Sequence, residues 1–170
     1  MYRKLVRRLG VAGVTLAGVV GVPQAAQRAL CVELTAETAL SVGRVCVTER
    51  ADSLFVRFES NDTWRLVETQ LAVAASLEGV PRGGAGHPVL GRFPYKGLHG
   101  RGVPDFVYGI ANANAPRGPS GSLVIAARAE VARGEQSEGA WAKGLSFTDA
   151  GPPATYFIYQ RPGSIPPPSR

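Results

Sequence analysis

Apolar and polar residues alternate over short stretches of this chain, and Gly, Pro, Asn or Asp interrupts each stretch before it grows long. A period of two with frequent breakers is the mark of strands and tight turns. In residues 53–59, Leu54, Val56 and Phe58 fall on one face while Arg57 and Glu59 fall on the other. Residues 42–47 form a second such stretch. Ser60, Asn61 and Asp62 read as a turn, and residues 63–76 return as a long strand, so these two segments are expected to pair as a hairpin. Residues 105–110 and 155–159 are further strands. In residues 122–131, Leu123, Ile125, Ala127, Ala129 and Val131 line one face, with Val124, Ala126, Arg128 and Glu130 on the other. Residues 112–120 read as a loop, and residues 139–144 as a single helical turn around Trp141. No stretch repeats at 3.6 residues, so the expected fold is all-β, an antiparallel β-sandwich of about 6–8 strands.

Two irregularities stand out against this background. In the long strand, Trp64 and Leu66 share one parity while Leu71 and Val73 occupy the other. Either both faces are covered at different ends, or an extra residue near Glu68, Thr69 and Gln70 forms a β-bulge that resets the register. The second irregularity is the Gly- and Pro-rich stretch 77–102, which carries His87, His99, Phe93 and Tyr95. Connections of that length in a small domain commonly hold function.

The N-terminus places this domain in a compartment. Arg3, Lys4, Arg7 and Arg8 precede an uncharged run of 14 residues, 9–22, followed by Pro23, Gln24, Ala25 and Ala26. A basic head, an apolar middle and small residues form a secretory signal peptide, with cleavage expected near Ala25 or Ala26. The run is shorter than the about 20 residues a spanning helix needs, so no membrane span is expected after cleavage. Arg7 and Arg8 leave a twin-arginine route open, whereas Leu30 before Cys31 argues against lipid attachment there. The organisation is therefore a signal peptide at 1–26, a β-sandwich domain at 27–161 and a Pro-rich, polyproline-like tail at 162–170. Export leads to the periplasm, the cell surface or the medium.

Cleavage also changes the charge. Four of the six excess positive charges belong to the signal. What remains is dispersed, with Arg44, Arg57, Arg65, Arg92 and Arg128 scattered among Glu33, Glu49, Glu59, Glu68 and Glu130, and no basic stripe that nucleic acid would require. The two cysteines, Cys31 and Cys46, are expected to form a disulfide in an oxidising compartment, because a metal site or reactive thiol would need a His or a second pair nearby.

Residues 64–73, WRLVETQLAV, are followed in order by Phe93-Pro94-Tyr95, by AARAEV at 126–131, by Gly139-Ala140-Trp141 and by Thr155-Tyr156-Phe157-Ile158-Tyr159. This ordered set resembles a group of secreted microbial β domains that read W-x-L-x-E-T-H-L-x-V, F-P-Y, A-A-H-A-x-V, E-T-A-W and T-Y-F-x-Y. The resemblance spans most of the mature chain and implies a secreted β domain. Gln70 and Arg128 stand where that pattern often has histidines, and Gly139 where it often has Thr. Any metal or proton chemistry those histidines supplied is absent from this chain.

Three kinds of site can be weighed on the residues. Glu68 shares the parity of Trp64 and Leu66, so a partly buried carboxylate there could serve a hydrolase as acid or base. The plainer expectation is a structural pair between Glu68 and Arg128 on neighbouring strands. His87, His99 and Asp105 are zinc-type ligands without ligand spacing, and neither a metal nor any other cofactor is expected. Phe93, Tyr95 and Trp141 could stack on a sugar or anchor a protein partner if they are exposed, and belong to the core otherwise. The expected function is an exported, non-enzymatic binding or accessory structural domain with a glycan, cell-surface or protein ligand. The alternative is a hydrolase built on Glu68.

Overall fold

The computed structural model describes residues 29–50, 52–148 and 154–162; the proposed signal peptide and all of the Pro-rich tail except Pro162 lie outside them. Ten strands follow one another: β1 (Leu30–Ala36), β2 (Ser41–Arg50), β3 (Ser53–Ser60), β4 (Arg65–Ala74), β5 (Tyr95–Val103), β6 (Asp105–Ala111), β7 (Ser122–Arg133), β8 (Gln136–Ala142), β9 (Leu145–Ser146) and β10 (Thr155–Gln160). Every pairing is antiparallel, and the main path runs β5-β4-β7-β8-β1-β2-β3-β6. One continuous sheet thus folds over on itself, and its two halves enclose the main core.

Alternation in each strand dictates that core. Leu34 of β1, Val45 and Val47 of β2, Leu54, Val56 and Phe58 of β3, and Leu123, Ile125, Ala127, Ala129 and Val131 of β7 all point inward and are buried. Burying the Leu, Val, Ile and Phe side chains among them stabilises by about 1.5–3 kcal/mol each. β5 and β6 lie at the two ends of the strand order and meet through side chains. Tyr95 packs on Tyr108 at 5.9 Å and His99 on Phe106 at 4.4 Å between ring centroids. This aromatic seam brings the sheet close to closure and covers edges that would otherwise invite pairing with other chains.

Three local expectations are corrected. The segments 53–59 and 63–76 do not form a hairpin: β3 pairs with β2 and β6, whereas β4 pairs with β5 and β7. The chain crosses from one half of the sheet to the other at Asn61–Trp64, where Trp64 plugs the core with only 2% exposure. The true hairpin partner of β3 is β2, with Arg50 opposite Ser53. Trp141 lies in a strand and not in a helical turn, because Ala140 and Ala142 face the main core while Trp141 faces out, and this alternation overrides the helix preference of alanine. The stretch 77–102 is shorter than it reads, since Tyr95 opens β5 and leaves only residues 77–94 as a connection.

The parity change in β4 has both of its possible causes. A bulge at Val67 shifts the register between Leu66 and Glu68 against both neighbouring strands. Beyond it, Thr69 and Leu71 face inward, while Ala72 and Ala74 face out beneath a second apolar cluster. That outer cluster joins Ala72, Ala74, Val124, Ala126 and Trp141 of the sheet to Val80 and Phe93 of the connection and to Phe147 and Ala154. The connection is held as a series of tight turns by bonds such as Gly83 N–H to His87 O (2.9 Å), Val89 N–H to Pro81 O (2.9 Å) and Phe93 N–H to Leu90 O (3.1 Å).

Candidate functional site

The site follows from a fork in the sheet. One edge of β7 pairs with β4 alone, from Val124 to Ala132, but the other is shared: Ser122 to Ile125 pair with β10, and Arg128 to Arg133 pair with β8. Ala126 and Ala127 lie between the two partners. At this parting Arg128 is directly opposite Trp141 on one side and Gln70 on the other. The connection folds over the parting and brings His87, Pro88 and Leu90 to it. The result is a cleft of about 380 Å³ lined by Glu37, His87, Pro88, Leu90, Arg128, Trp141 and Ala154. A second hollow of about 200 Å³ adjoins it, sharing Glu37 and Trp141 and adding Thr35, Ala36, Ala39, Lys143, Gly144 and Thr155.

From Arg128 a hydrogen-bonded polar row runs beside the cleft over the outward face of β4, β7 and β8. Arg128 Nη2 donates to Glu130 Oε2 at 2.8 Å and Arg128 Nη1 to Gln70 Oε1 at 3.4 Å, while Gln70 Nε2 donates to Glu68 Oε1 at 2.7 Å. Ser137 Oγ donates to the other Glu130 oxygen at 2.7 Å. Glu68 and Arg128 are therefore on neighbouring strands and on the same outward face, but they are linked through Gln70, and the ion pair of Arg128 is made with Glu130. The bulge at Val67 explains this placement, for it turns Glu68 away from the core that the parity of Leu66 suggested.

Gly139 sets the space available to Arg128. A Cβ on Gly139 would lie 2.8 Å from Arg128 Nη2 and 3.2 Å from Glu37 Oε1. Both charged groups thus border a space that only glycine leaves open. Arginine has five N–H donors, and two of those on Arg128 are used by Gln70 and Glu130. Sequence reasoning missed Glu37 and Gly139, because each acquires its role from a backbone meeting across the sheet, Glu37 N–H donating to Gly139 O at 3.1 Å.

The remaining candidates separate. Phe93 is 2% exposed and meets Trp141 edge to face at 6.5 Å between centroids, which removes it from any exposed set and makes it the centre of the outer core. Tyr95 belongs to the seam. Trp141 is 6% exposed and lines the cleft as a wall. His99 is buried, with Nε2 3.0 Å from the Thr69 hydroxyl, which also lies 2.8 Å from Tyr108 OH. Burial pulls the His99 imidazole below its ordinary pKa and pushes the Tyr108 phenol up. Asp105 accepts from Arg57 at 3.2 Å on the outer face of the sheet. His87, His99 and Asp105 are not brought together, and among the described residues no group of three or more His, Cys, Asp or Glu is placed to hold a metal ion.

Cys31 and Cys46 form the disulfide, bridging directly opposed residues of β1 and β2 with their Cα atoms 4.0 Å apart. Comparison with protein-family models, with curated proteins and with solved structures gave no match.

Proposed function

We propose that this protein is an exported binding domain whose recognition site is the cleft at the fork of β7, β8 and β10. One observation carries the reading. Polar groups from separate elements, Glu37 after β1, His87 of the connection and Arg128 of β7, converge on one concave surface beside the apolar Pro88, Leu90 and Trp141. A concave wall with a few converging polar groups is the usual form of a ligand site, and the volume falls within the common range of about 300–1,000 Å³. The chemistry of the row suits recognition more than proton transfer. Arg128 is engaged by Gln70 and Glu130, and Glu130 is already held by Arg128 and Ser137. The disulfide and the absence of a spanning helix among the described residues are compatible with export. The alternative hydrolase draws support only from the place of Glu68 on the same outward row, and Glu68 does not line the cleft.

Two measurements test the two halves of the reading. N-terminal sequencing of the protein recovered from outside the producing cell is expected to begin close to residue 27; an intact Met1 would refute export by cleavage. Binding to intact microbial cells, read with fluorescently labelled protein, is expected to fall at least tenfold in Gly139→Val with an unchanged melting temperature. Undiminished binding by that variant would move the recognition surface elsewhere.

A further inference from the structure

We infer that the Cys31–Cys46 bridge is a thiol-exchange site, at which a small external thiol adds to Cys31 and Cys46 is released; this goes beyond the cleft and does not depend on it. The place of the bridge comes first. Val45 and Val47 of β2 and Leu34 of β1 are buried in the main core, so by alternation Cys46 and Cys31 lie on the outward face of the sheet. Cys31 is exposed and Cys46 half-buried. The bridge thus sits outside the core that its strands build. Exposed disulfides are the labile ones, because exchange depends on access to the sulfur as well as on the attacking thiolate.

The register sets the direction of approach. A thiolate attacks a disulfide in line, from the side opposite the sulfur that leaves. Cys31 and Cys46 are directly opposed on neighbouring strands, so the bridge runs across the strands. Attack on Cys46 would come from the side of β3, where Arg57 stands directly opposite Cys46 on the same face. Attack on Cys31 comes from the far side of β1. There β8 pairs only with Leu34 to Ala36, Lys143 N–H reaches one residue further to Glu33 O at 2.7 Å, and β10 forms no ladder with β1. Among the described residues no strand covers that side of Cys31, and a hollow of about 360 Å³ lies along this edge between Leu30 and the residues Ile158, Gln160 and Pro162.

Charge does not alter the choice of sulfur. On this face, within two residues of the bridge along each strand, stand Glu33 of β1, Arg44 of β2, and Arg57 and Glu59 of β3, as many acids as bases. Each is paired: Glu33 with Lys143 at 3.5 Å, Arg44 with Glu59, and Arg57 with Asp105 at 3.2 Å. An anionic thiolate is neither drawn to one sulfur nor kept from the other, so access decides. The incoming thiolate forms an S–S bond to Cys31 Sγ as the Cys31–Cys46 bond breaks, and the electron pair leaves on Cys46 Sγ, which takes up a proton from water. A second thiolate, attacking the small molecule's sulfur in the mixed disulfide, frees Cys31. Two external thiols are thereby oxidised to one disulfide, and the bridge is reduced to two thiols. Leu30 to Val32 are then held by their ladder with β2 alone.

The test incubates the folded, oxidised protein with reduced glutathione, quenches at short times with iodoacetamide and maps both cysteines by mass spectrometry. Glutathione is expected on Cys31 and the alkyl group on Cys46, at a rate linear in glutathione and unchanged by urea below the unfolding transition. Cysteines that stay bridged, or a rate that climbs with such urea, would show that the bridge opens only by unfolding and would overturn the site. Glutathione on Cys46 in the unaltered protein would overturn the direction of attack. In Arg57→Ala, with native melting, the share of adduct on Cys46 is expected to rise about tenfold as the second approach opens. A share that stays the same would refute the shielding by Arg57.

Discussion

Tyr95 shows how little a side chain's identity says about its work. From the sequence it is an aromatic in a flexible-looking stretch; in the structure it opens β5 and packs on Tyr108 against the main core. Because Tyr95 is partly buried, Tyr95→Ala is expected to cost less than about 3 kcal/mol, the low end for a fully buried aromatic, read as a lower urea midpoint. A variant that kept its midpoint and lost ligand would instead return Tyr95 to the recognition surface. Glu68 makes the complementary point. Its parity with Leu66 was plain, yet the single extra residue at Val67 reverses its facing. The parity change marks a bulge near Glu68 but not on which side of it the extra residue falls, so neither the facing of Glu68 nor its link through Gln70 to Arg128 was legible beforehand.

At the scale of elements, the stretch 77–94 and the β1–β2 ribbon each have a definite task. The connection carries Val80, Leu90 and Phe93 onto the outer face of β4, β7 and β8 and so builds a second core. Phe93→Ala is expected to lower unfolding free energy by about 3–5 kcal/mol and to make residues 77–94 the first site of limited proteolysis. Unchanged protease resistance would show that the connection is held by its own turns. The disulfide staples the first half of β1, which pairs with β2 alone, since β8 reaches only Leu34 to Ala36. Reduction, or Cys31→Ser with Cys46→Ser, is expected to cost about 3 kcal/mol for a loop of this size, measured by calorimetry. An unaltered transition would mean that the ribbon needs no covalent closure.

For the molecule as a whole, what matters is how a single sheet is kept shut. At one end Arg161, beyond β10, forms a partly buried ion pair with Glu49 of β2 and donates to Asn112 at 2.7 Å. Side-chain exposure of 14% on both partners makes removal of one of them costly. Glu49→Ala is expected to destabilise by about 3 kcal/mol, toward the lower end for breaking a buried pair, in equilibrium urea unfolding. Along the seam, His99 is held neutral by burial, below its ordinary value of 6.5. Above about pH 6.5 neither the folded nor the unfolded form carries the proton, and the seam contributes in full. As pH falls below that value the unfolded chain takes up protons that the folded one resists, and stability declines. The urea midpoint should therefore drop between pH 7 and pH 5, and His99→Gln should flatten that slope. An equal slope in the variant would assign the decline to other groups.

What the sequence determined by itself was carried by local period and composition. The faces of β3 and β7, the β class and the cysteine pair all follow from residues close together in the chain or from an inventory of two. The tertiary structure alone decided which strands meet. A strand's alternation says what it buries and nothing about its neighbour, so residues 53–59 and 63–76 read as a hairpin although Trp64 carries the chain across the core. The cleft is of the same kind. Glu37, His87 and the β7–β8 hairpin that carries Arg128, Gly139 and Trp141 are far apart along the chain, and they converge only because β7 divides one edge between β10 and β8 and a glycine leaves room where they meet.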